Sequence, residues 1–292
     1  MSEMKISRRD FFRQSGTVLA GTTVGSAVLP GCSEIPQELP SNPPTEQSSS
    51  YGPFKMGFQS FSLRHFGAMD DFLREARKLE LEYVELYRGH MNPASTAGQL
   101  EEARQRLSSA GLVVNAFGVE EFTSDHETNK SLFNFAKALG VTNLSANPTK
   151  DAFSSLTELV QEFDIRIAIH NHGPEDDRWR LPEWILESIQ DLDPRIGVCA
   201  DLGHFIRAGV DPTEAIEMLG SRVLGVHLKD FDEKGNDVVL GTGQLDVQKS
   251  LSILNEIGFD GPLSLEFEGS VKDPVPEMLE CLLSVRLAIQ KI

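Results

Sequence analysis

Four of the seven histidines in the chain fall into three short runs: His170 and His172 in IAIHNHG, His204 in ADLGH and His227 in GVHLKD. Asp201 and Lys229 lie in two of the same runs, and Glu266 and Glu268 in a fourth, LSLEFE. Imidazole and carboxylate are the usual protein ligands for Mn, Zn, Co or Fe, and both move protons near neutral pH. Taken singly, each histidine is better explained as a hydrogen-bonded core residue. Taken together with Asp201 and Glu266, they point to a metal site. Their common placement carries that reading, because in each run β-branched or aliphatic residues come first and polar residues last. That is the pattern of a buried strand whose carboxyl end holds chemistry.

The rest of the chain repeats the pattern. Strands are predicted at 56–63, 83–87, 112–117, 143–147, 165–170, 196–201, 223–227 and 263–268. Helices are predicted over 70–79, 97–110, 126–139, 151–163, 182–190, 212–219, 247–257 and 275–289. Gly111 and Gly140 close two of these helices, and Pro182 sits in the first turn of another. Eight alternating βα units within residues 54–292 predict an α/β fold of the TIM (β/α)8 barrel type. A doubly wound open sheet would want a GxGxxG turn after its first strand, and none is present. The predicted strand ends also collect Gln59, Arg64, Glu85, Arg88, Asn115 and Asn147.

With a net charge of -17 the chain is unsuited to nucleic acid or anionic lipid, whose binding relies on Lys and Arg, so a small-molecule partner is expected. Cys32, Cys199 and Cys281 show no zinc-ribbon or CxxC spacing. Cys199 and Cys281 lie in apolar runs and read as inert core thiols.

Residues 1–31 form a leader of their own. Ser7-Arg8-Arg9-Asp10-Phe11-Phe12-Arg13 before a weakly apolar stretch closely resembles a twin-arginine export signal, and Leu29-Pro30-Gly31-Cys32 resembles a lipoprotein processing box. The expectation is an exported protein, periplasmic or tethered at Cys32, with no other membrane contact. Residues 32–53, rich in Pro, Ser, Gln and Glu, read as a flexible linker, and residues 54–292 as the barrel. Nothing in the sequence sets an oligomeric state.

From about residue 55 onward the chain resembles the xylose isomerase-like TIM barrels, which include sugar isomerases, ketose 3-epimerases, inosose dehydratases and endonuclease IV. GFQSFSLR, YVELY, HNHG, ADLGH, GVHLKD, the GTGQLD loop at 241–246 and LSLEFE carry the resemblance. It implies one divalent metal ion (Mn, Co, Zn or Mg) held by Asp201, His227 and Glu266 together with the strand-five position. Many relatives have Glu at that position; this chain has His170. The implied activity is sugar isomerisation or epimerisation through an enediolate. Glu266 would be ligand and base, and His170 or His172 the second acid/base. Glu85, His204 and Lys229 would bind substrate hydroxyls. Glu268 would act as the base or orient a ligand histidine. A solvated ion pair is the competing account of Lys229 and Asp230. A lyase or dehydratase acting on a keto-sugar or keto-glycoside would begin with the same enolisation. A sugar-binding barrel without catalysis and an endonuclease IV-like enzyme are the remaining alternatives, the latter disfavoured by the acidic charge.

Overall fold

The computed structural model describes residues 50–292, so the expected export signal, the lipidation site and nearly all of the linker lie outside the described residues. Eight parallel strands close into a barrel: Lys55–Gln59, Tyr83–Leu86, Val113–Phe122, Asn143–Pro148, Arg166–His170, Ile196–Asp201, Val223–Leu228 and Pro262–Leu265, called strands one to eight below. Each strand pairs with its neighbours in the series, and strand eight returns to strand one. The predicted TIM barrel is therefore the fold.

Helices pack outside this wall. Alternate strand residues such as Val84, Ile167, Ile169, Val198, Val226, Leu263 and Leu265 are fully buried. Burying aliphatic side chains of this size stabilises by about 1.5–3 kcal/mol each, and that drives the wall together. The helices α1 to α5 cover Met69–Ala76, Ala97–Ser109, His126–Leu139, Phe153–Phe163 and Pro182–Ile189, and α7 to α9 cover Pro212–Leu219, Val247–Glu256 and Val275–Ile289. Local chemistry sets their ends. Thr96 and Gln99 form a capping box, Asp125, Asp211 and Asp246 accept N-terminal backbone N–H groups, and Gly140 closes α3 at a φ of 86°. Among the described residues no helix is long and apolar enough to cross a membrane. Packing begins slightly before the expected barrel boundary, since Tyr51 is buried and its hydroxyl accepts a hydrogen bond from Arg286.

Several departures from the sequence reading bear on the site. Strand one stops at Gln59, and Ser60–Leu63 forms a 3-10 turn. Its serines have other partners: the Ser60 hydroxyl accepts from the Tyr87 N–H and the Ser62 hydroxyl from the Phe267 N–H, which ties the turn to the ends of strands two and eight. Strand eight ends at Leu265, so Glu266 and Glu268 lie on the extended chain just beyond it. Strand three runs on to Phe122, past a register shift against strand four. A short helix absent from the prediction, α6 over Leu202–Arg207, follows strand six directly with Asp201 as its N-cap. A two-stranded hairpin, Asp230–Phe231 with Asp237–Val238, rises after strand seven. Cys199 and Cys281 are free and buried, as expected.

His90, after strand two, stacks on Phe72 with ring centroids 4.2 Å apart, and its Nε2 lies 3.1 Å from the Phe66 carbonyl. Burial drives its pKa down to about 4. The folded value lies below the unfolded one, so the stability His90 contributes is intact above the unfolded pKa and drains away as pH falls toward the folded value. Between pH 7 and pH 5 this group should cost about 2 kcal/mol. Urea denaturation of the native protein and of His90→Phe at both pH values checks it: from pH 7 to pH 5 the native protein should lose about 2 kcal/mol more than the variant, and parallel profiles would refute the assignment.

Candidate metal centre and active-site cavity

His170, Asp201, His227 and Glu266 each contribute one donor atom to a buried group in which all four atoms lie within 4.8 Å of one another. The topology brings them there. His170 ends strand five and Asp201 ends strand six directly opposite His227 on strand seven, while Glu266 is the first residue past strand eight. His170 Nε2 stands 3.0 Å from His227 Nδ1 and 3.5 Å from Asp201 Oδ2. His227 Nδ1 is also 3.0 Å from Glu266 Oε2 and 3.9 Å from Asp201 Oδ2. Tetrahedral coordination at roughly 2.1 Å needs ligand atoms about 3.4 Å apart, so the spacing suits a divalent ion.

The neighbours of these donors favour the same reading. Asp201 Oδ1 accepts the His204 backbone N–H at 2.7 Å, which caps α6 and leaves Oδ2 turned to the cluster. Asp201 Oδ2 and Glu266 Oε2 are buried and accept no well-aligned hydrogen bond. Buried carboxylate oxygens without donors are costly, and a cation between them removes the cost. His227 Nε2 lies 2.9 Å from Glu85 Oε2, deep in the barrel. The Ser145 and Ser264 hydroxyls donate to the same carboxylate at 2.6 and 3.0 Å. A carboxylate behind an imidazole holds the ring's tautomer and turns its other nitrogen toward a metal. Asn171, between the two histidines of HNHG, donates to the Asp201 carbonyl and accepts the Asp201 N–H, joining strands five and six beneath the site.

Electrostatics bind the group together. Burial alone would raise the Asp201 carboxyl, but His204, the Lys229 ammonium and His170 outweigh it and hold it well below the usual carboxylate range. Burial also opposes ionised Glu266, and Lys229 and His227 overcome it in the same way. Burial works against a charged His227, yet the Glu85 and Glu266 carboxylates raise its pKa well above the ordinary histidine value. A metal ion would have to displace that proton, so binding should release protons. Lys229 is 1% exposed, with Nζ 3.2 Å from Glu266 Oε2, 3.7 Å from Asp201 Oδ2 and 2.5 Å from Glu268 Oε1.

A cavity of about 580 Å³ opens above the cluster. Phe61 and Tyr87, edge to face at 5.3 Å, form its apolar side, and His170, His172, His204, Lys229, Glu266 and Glu268 contribute polar groups. Arg88, held by both oxygens of Glu120, and Arg207 also line it. Volume and lining suit a small polar ligand with one apolar face.

The profile of the family described as xylose isomerase-like TIM barrel matches residues 73–285. The chain belongs to this family. A protein from Methanocaldococcus jannaschii, itself uncharacterized, is 33% identical over 132 residues, 42% of this chain and 44% of that one. The 3-oxo-isoapionate decarboxylase of Pectobacterium atrosepticum is 28% identical over 173 residues, 52% of this chain and 60% of the enzyme. The chain thus spans about half the length of these curated relatives. Among solved structures, a Parabacteroides distasonis protein superposes with a TM-score of 0.65 at 26% identity, covering 82% of this chain and 99% of its own. An L-ribulose 3-epimerase gives 0.67 at 17% identity, covering 82% and 95%. The 3-keto-D-glucoside 4-epimerase of E. coli gives 0.63 at 14%, covering 80% and 99%.

Within the xylose isomerase-like barrel, the structure brings His170, Asp201, His227 and Glu266 together in the pattern the resemblance implied, with His170 at the strand-five position. His172, His204, Lys229 and Glu268 are at the cavity wall. Glu85, expected beside them as a substrate ligand, is 1% exposed and is engaged with His227 and two serines. Glu268 meets Lys229, and the carboxylate behind His227 is Glu85. Lys229 and Asp230 are not a solvated ion pair, since both are buried and point to different partners. The Asp230 carboxylate accepts the backbone N–H groups of Gly241, Gly243, Gln244 and Leu245 at 2.8 to 3.0 Å, so it fills the GTGQL loop as an internal anion. Asn115 and Asn147 do not line the cavity.

The sequence reading gave no site role to Asn171, Phe61, Tyr87, Arg207 or Asp237. Asp237, on the hairpin, accepts the Glu268 N–H, and burial pushes its carboxyl up to about 7. Asn171 was the one with a signal, being the residue between two histidines at a strand end.

Removing the charge behind His227 tests the centre. Glu85→Gln keeps the shape but weakens the orienting contact, and zinc affinity, measured by competition with a chelating dye, should fall roughly 10- to 100-fold. An unchanged affinity would mean that Glu85 does not tune a metal-ligating His227.

Proposed function

We propose that the protein is a divalent-metal-dependent sugar isomerase or epimerase that works through an enediolate. The observation that carries the proposal is the convergence of His170, Asp201, His227 and Glu266 beneath a cavity with an aromatic wall and a buried lysine. The names of two structural neighbours, a ribulose epimerase and a keto-glucoside epimerase, support it. A divalent ion held by the four ligands would polarise a substrate carbonyl and oppose the negative charge that develops when the adjacent carbon loses its proton.

The chain's own residues do the rest. Phe61 and Tyr87 offer a surface for the C–H face of a sugar. Glu266, kept ionised by Lys229 and His227, takes the proton from carbon. Lys229, buried and held charged by Glu266, Asp201 and Glu268, donates to the oxygen that gains charge. His172 carries a hydroxyl proton: it takes the proton of the substrate hydroxyl that becomes the new carbonyl and gives it to the oxygen of the former carbonyl, while Glu266 returns the carbon-bound proton to the neighbouring carbon. Burial, with His170 and His204 nearby, lowers its pKa to about 3, so it rests neutral at physiological pH and can accept a proton before giving it up. In this scheme His170 serves as a ligand and Glu85 as the support for His227.

One feature favours a second reading. Glu268 is tied to Lys229 and the strand-five position is His170, so the cavity offers one carboxylate and one imidazole rather than two carboxylates for proton transfer. A neutral imidazole that gains a proton is also a good acid for a leaving oxygen, which suits a lyase or dehydratase acting on a keto-sugar. The 3-oxo-isoapionate decarboxylase relative adds a carbon–carbon-cleaving enzyme to the comparison.

Elemental analysis and isotope exchange distinguish these readings. Purified protein is expected to hold about one divalent ion per chain and, with ketoses or 3-keto-glucosides in D2O, to place deuterium on the carbon beside the carbonyl. His172→Ala should keep that exchange while product formation drops roughly 100-fold or more. A metal-free protein that catalyses no exchange would sink the proposal, and β-elimination products would move it to the lyase reading.

Export belongs to the same proposal, on the strength of residues 7–13 and of the run ending at Cys32. Replacing Arg8 and Arg9 with lysine should trap the protein in the cytoplasmic fraction. Unchanged secretion, or none in the native protein, would refute it.

A further inference from the structure

We infer that Arg207 is a positioning residue that locks His204 in one tautomer, with a lone pair on Nδ1 and the proton on Nε2. His204 and Arg207 lie three residues apart on α6, whose N-cap is the ligand Asp201. Arg207 Nη1 stands 3.1 Å from His204 Nδ1. A guanidinium has donors and no acceptor, so the imidazole nitrogen that meets it must accept. A neutral ring then carries its proton on Nε2.

The guanidinium is itself held in place. Its Nη2 donates to Glu175 at 3.0 Å, and its Cζ lies 5.5 Å from the centre of the Phe231 ring. On its other side is Gly173, the glycine of HNHG. A Cβ at Gly173 would fall 2.8 Å from Arg207 Cζ and 2.9 Å from Nη1 and from Glu175 Oε2, so a side chain there would displace the pair. This explains a motif position that neither the metal ligands nor the cavity wall accounts for.

The His204 ring is 9% exposed and lines the cavity. Its Nε2 has Asp201 Oδ2 as its acidic neighbour at 4.0 Å, too far for a hydrogen bond, so the N–H is left for an oxygen in the cavity. The adjacent His172 is biased the other way. Its Nδ1 lies 3.5 Å from Asp176 Oδ2, and Asp176 Oδ1 accepts the Arg178 and Trp179 N–H groups. A carboxylate favours the proton on Nδ1 and leaves Nε2 as an acceptor. The two rings, with centroids 5.6 Å apart, therefore present a donor and an acceptor side by side. Resting on the sugar reading, the substrate class is one with a carbonyl or hydroxyl oxygen that takes a hydrogen bond from His204 next to a hydroxyl whose proton His172 accepts. The tautomer itself rests on geometry alone.

Nitrogen NMR reads it directly. In purified metal-free protein with 15N-labelled histidine at neutral pH, long-range 1H–15N spectra should show His204, assigned by its loss in His204→Asn, with Nδ1 unprotonated and Nε2 protonated. Arg207→Lys, which retains a donor, should keep that pattern. Arg207→Met should shift both nitrogens toward the averaged values of an imidazole that exchanges tautomers. A proton on Nδ1 in the native protein, or an unchanged spectrum in a folded Arg207→Met, would overturn the inference. If Arg207→Met does not fold, the native spectrum alone decides the tautomer. Absence of sugar chemistry would leave the result standing, and the wrong tautomer would remove Arg207's role without touching the metal centre.

Discussion

Carboxylates buried in the mouth of a closed apolar barrel are the constraint on which the site depends. An ionised side chain taken out of water costs several kcal/mol unless partners replace its hydration. Glu85, Asp201 and Glu266 are each buried, and each is compensated differently. Glu85 has two serine hydroxyls and an imidazole, Asp201 spends one oxygen on the start of α6, and Glu266 leans on Lys229. What still lacks an aligned hydrogen bond is one oxygen on Asp201 and one on Glu266, both facing Lys229 and the same pair of histidines. The centre is thus the part of the surrounding structure left without aligned donors, and a divalent ion would complete it.

Having His170 at the strand-five position changes the charge of this remainder. A glutamate there would bring three carboxylates to the cluster, whereas this chain has two, with two imidazoles. Lys229 then stands against the cluster without an extra anion to balance it, and Glu268 supplies that anion from the cavity side. The substitution therefore links ligand choice to proton chemistry. Under the proposed reaction, strand five supplies no carboxylate to carry protons and Glu268 is occupied by the lysine, which leaves an imidazole as the second proton carrier.

Much of this was legible because barrel strands present their polar ends in sequence. His170, Asp201 and His227 each follow a run of aliphatic residues, and the alternation of those runs predicts both the fold and the rim. Depth was harder to read. YVELY puts Glu85 near the end of strand two, but alternation tells which way a side chain faces and not how far below the rim it sits. Lys229 and Asp230 looked like a pair because opposite charges are adjacent, although adjacent residues on an extended chain point to opposite sides. The serines of SFSL kept the period of a strand while capping two other strands. Helix α6 is only six residues long, too short for a helical period to show, and with it went Arg207. Glu175 and Asp176 lie in a loop whose shape no local pattern announces.

Asp230 gives the loop after strand seven a property beyond stability. Glycine-rich loops that cradle anions with backbone N–H groups often take their final form only when the anion arrives. Here the chain supplies its own anion from the residue after Lys229, and Gly243 permits the approach, since a Cβ there would fall 2.5 Å from the carboxylate. The loop is self-liganded. Its donors are already occupied, so it offers no phosphate handle, and the entropy of ordering it is spent during folding.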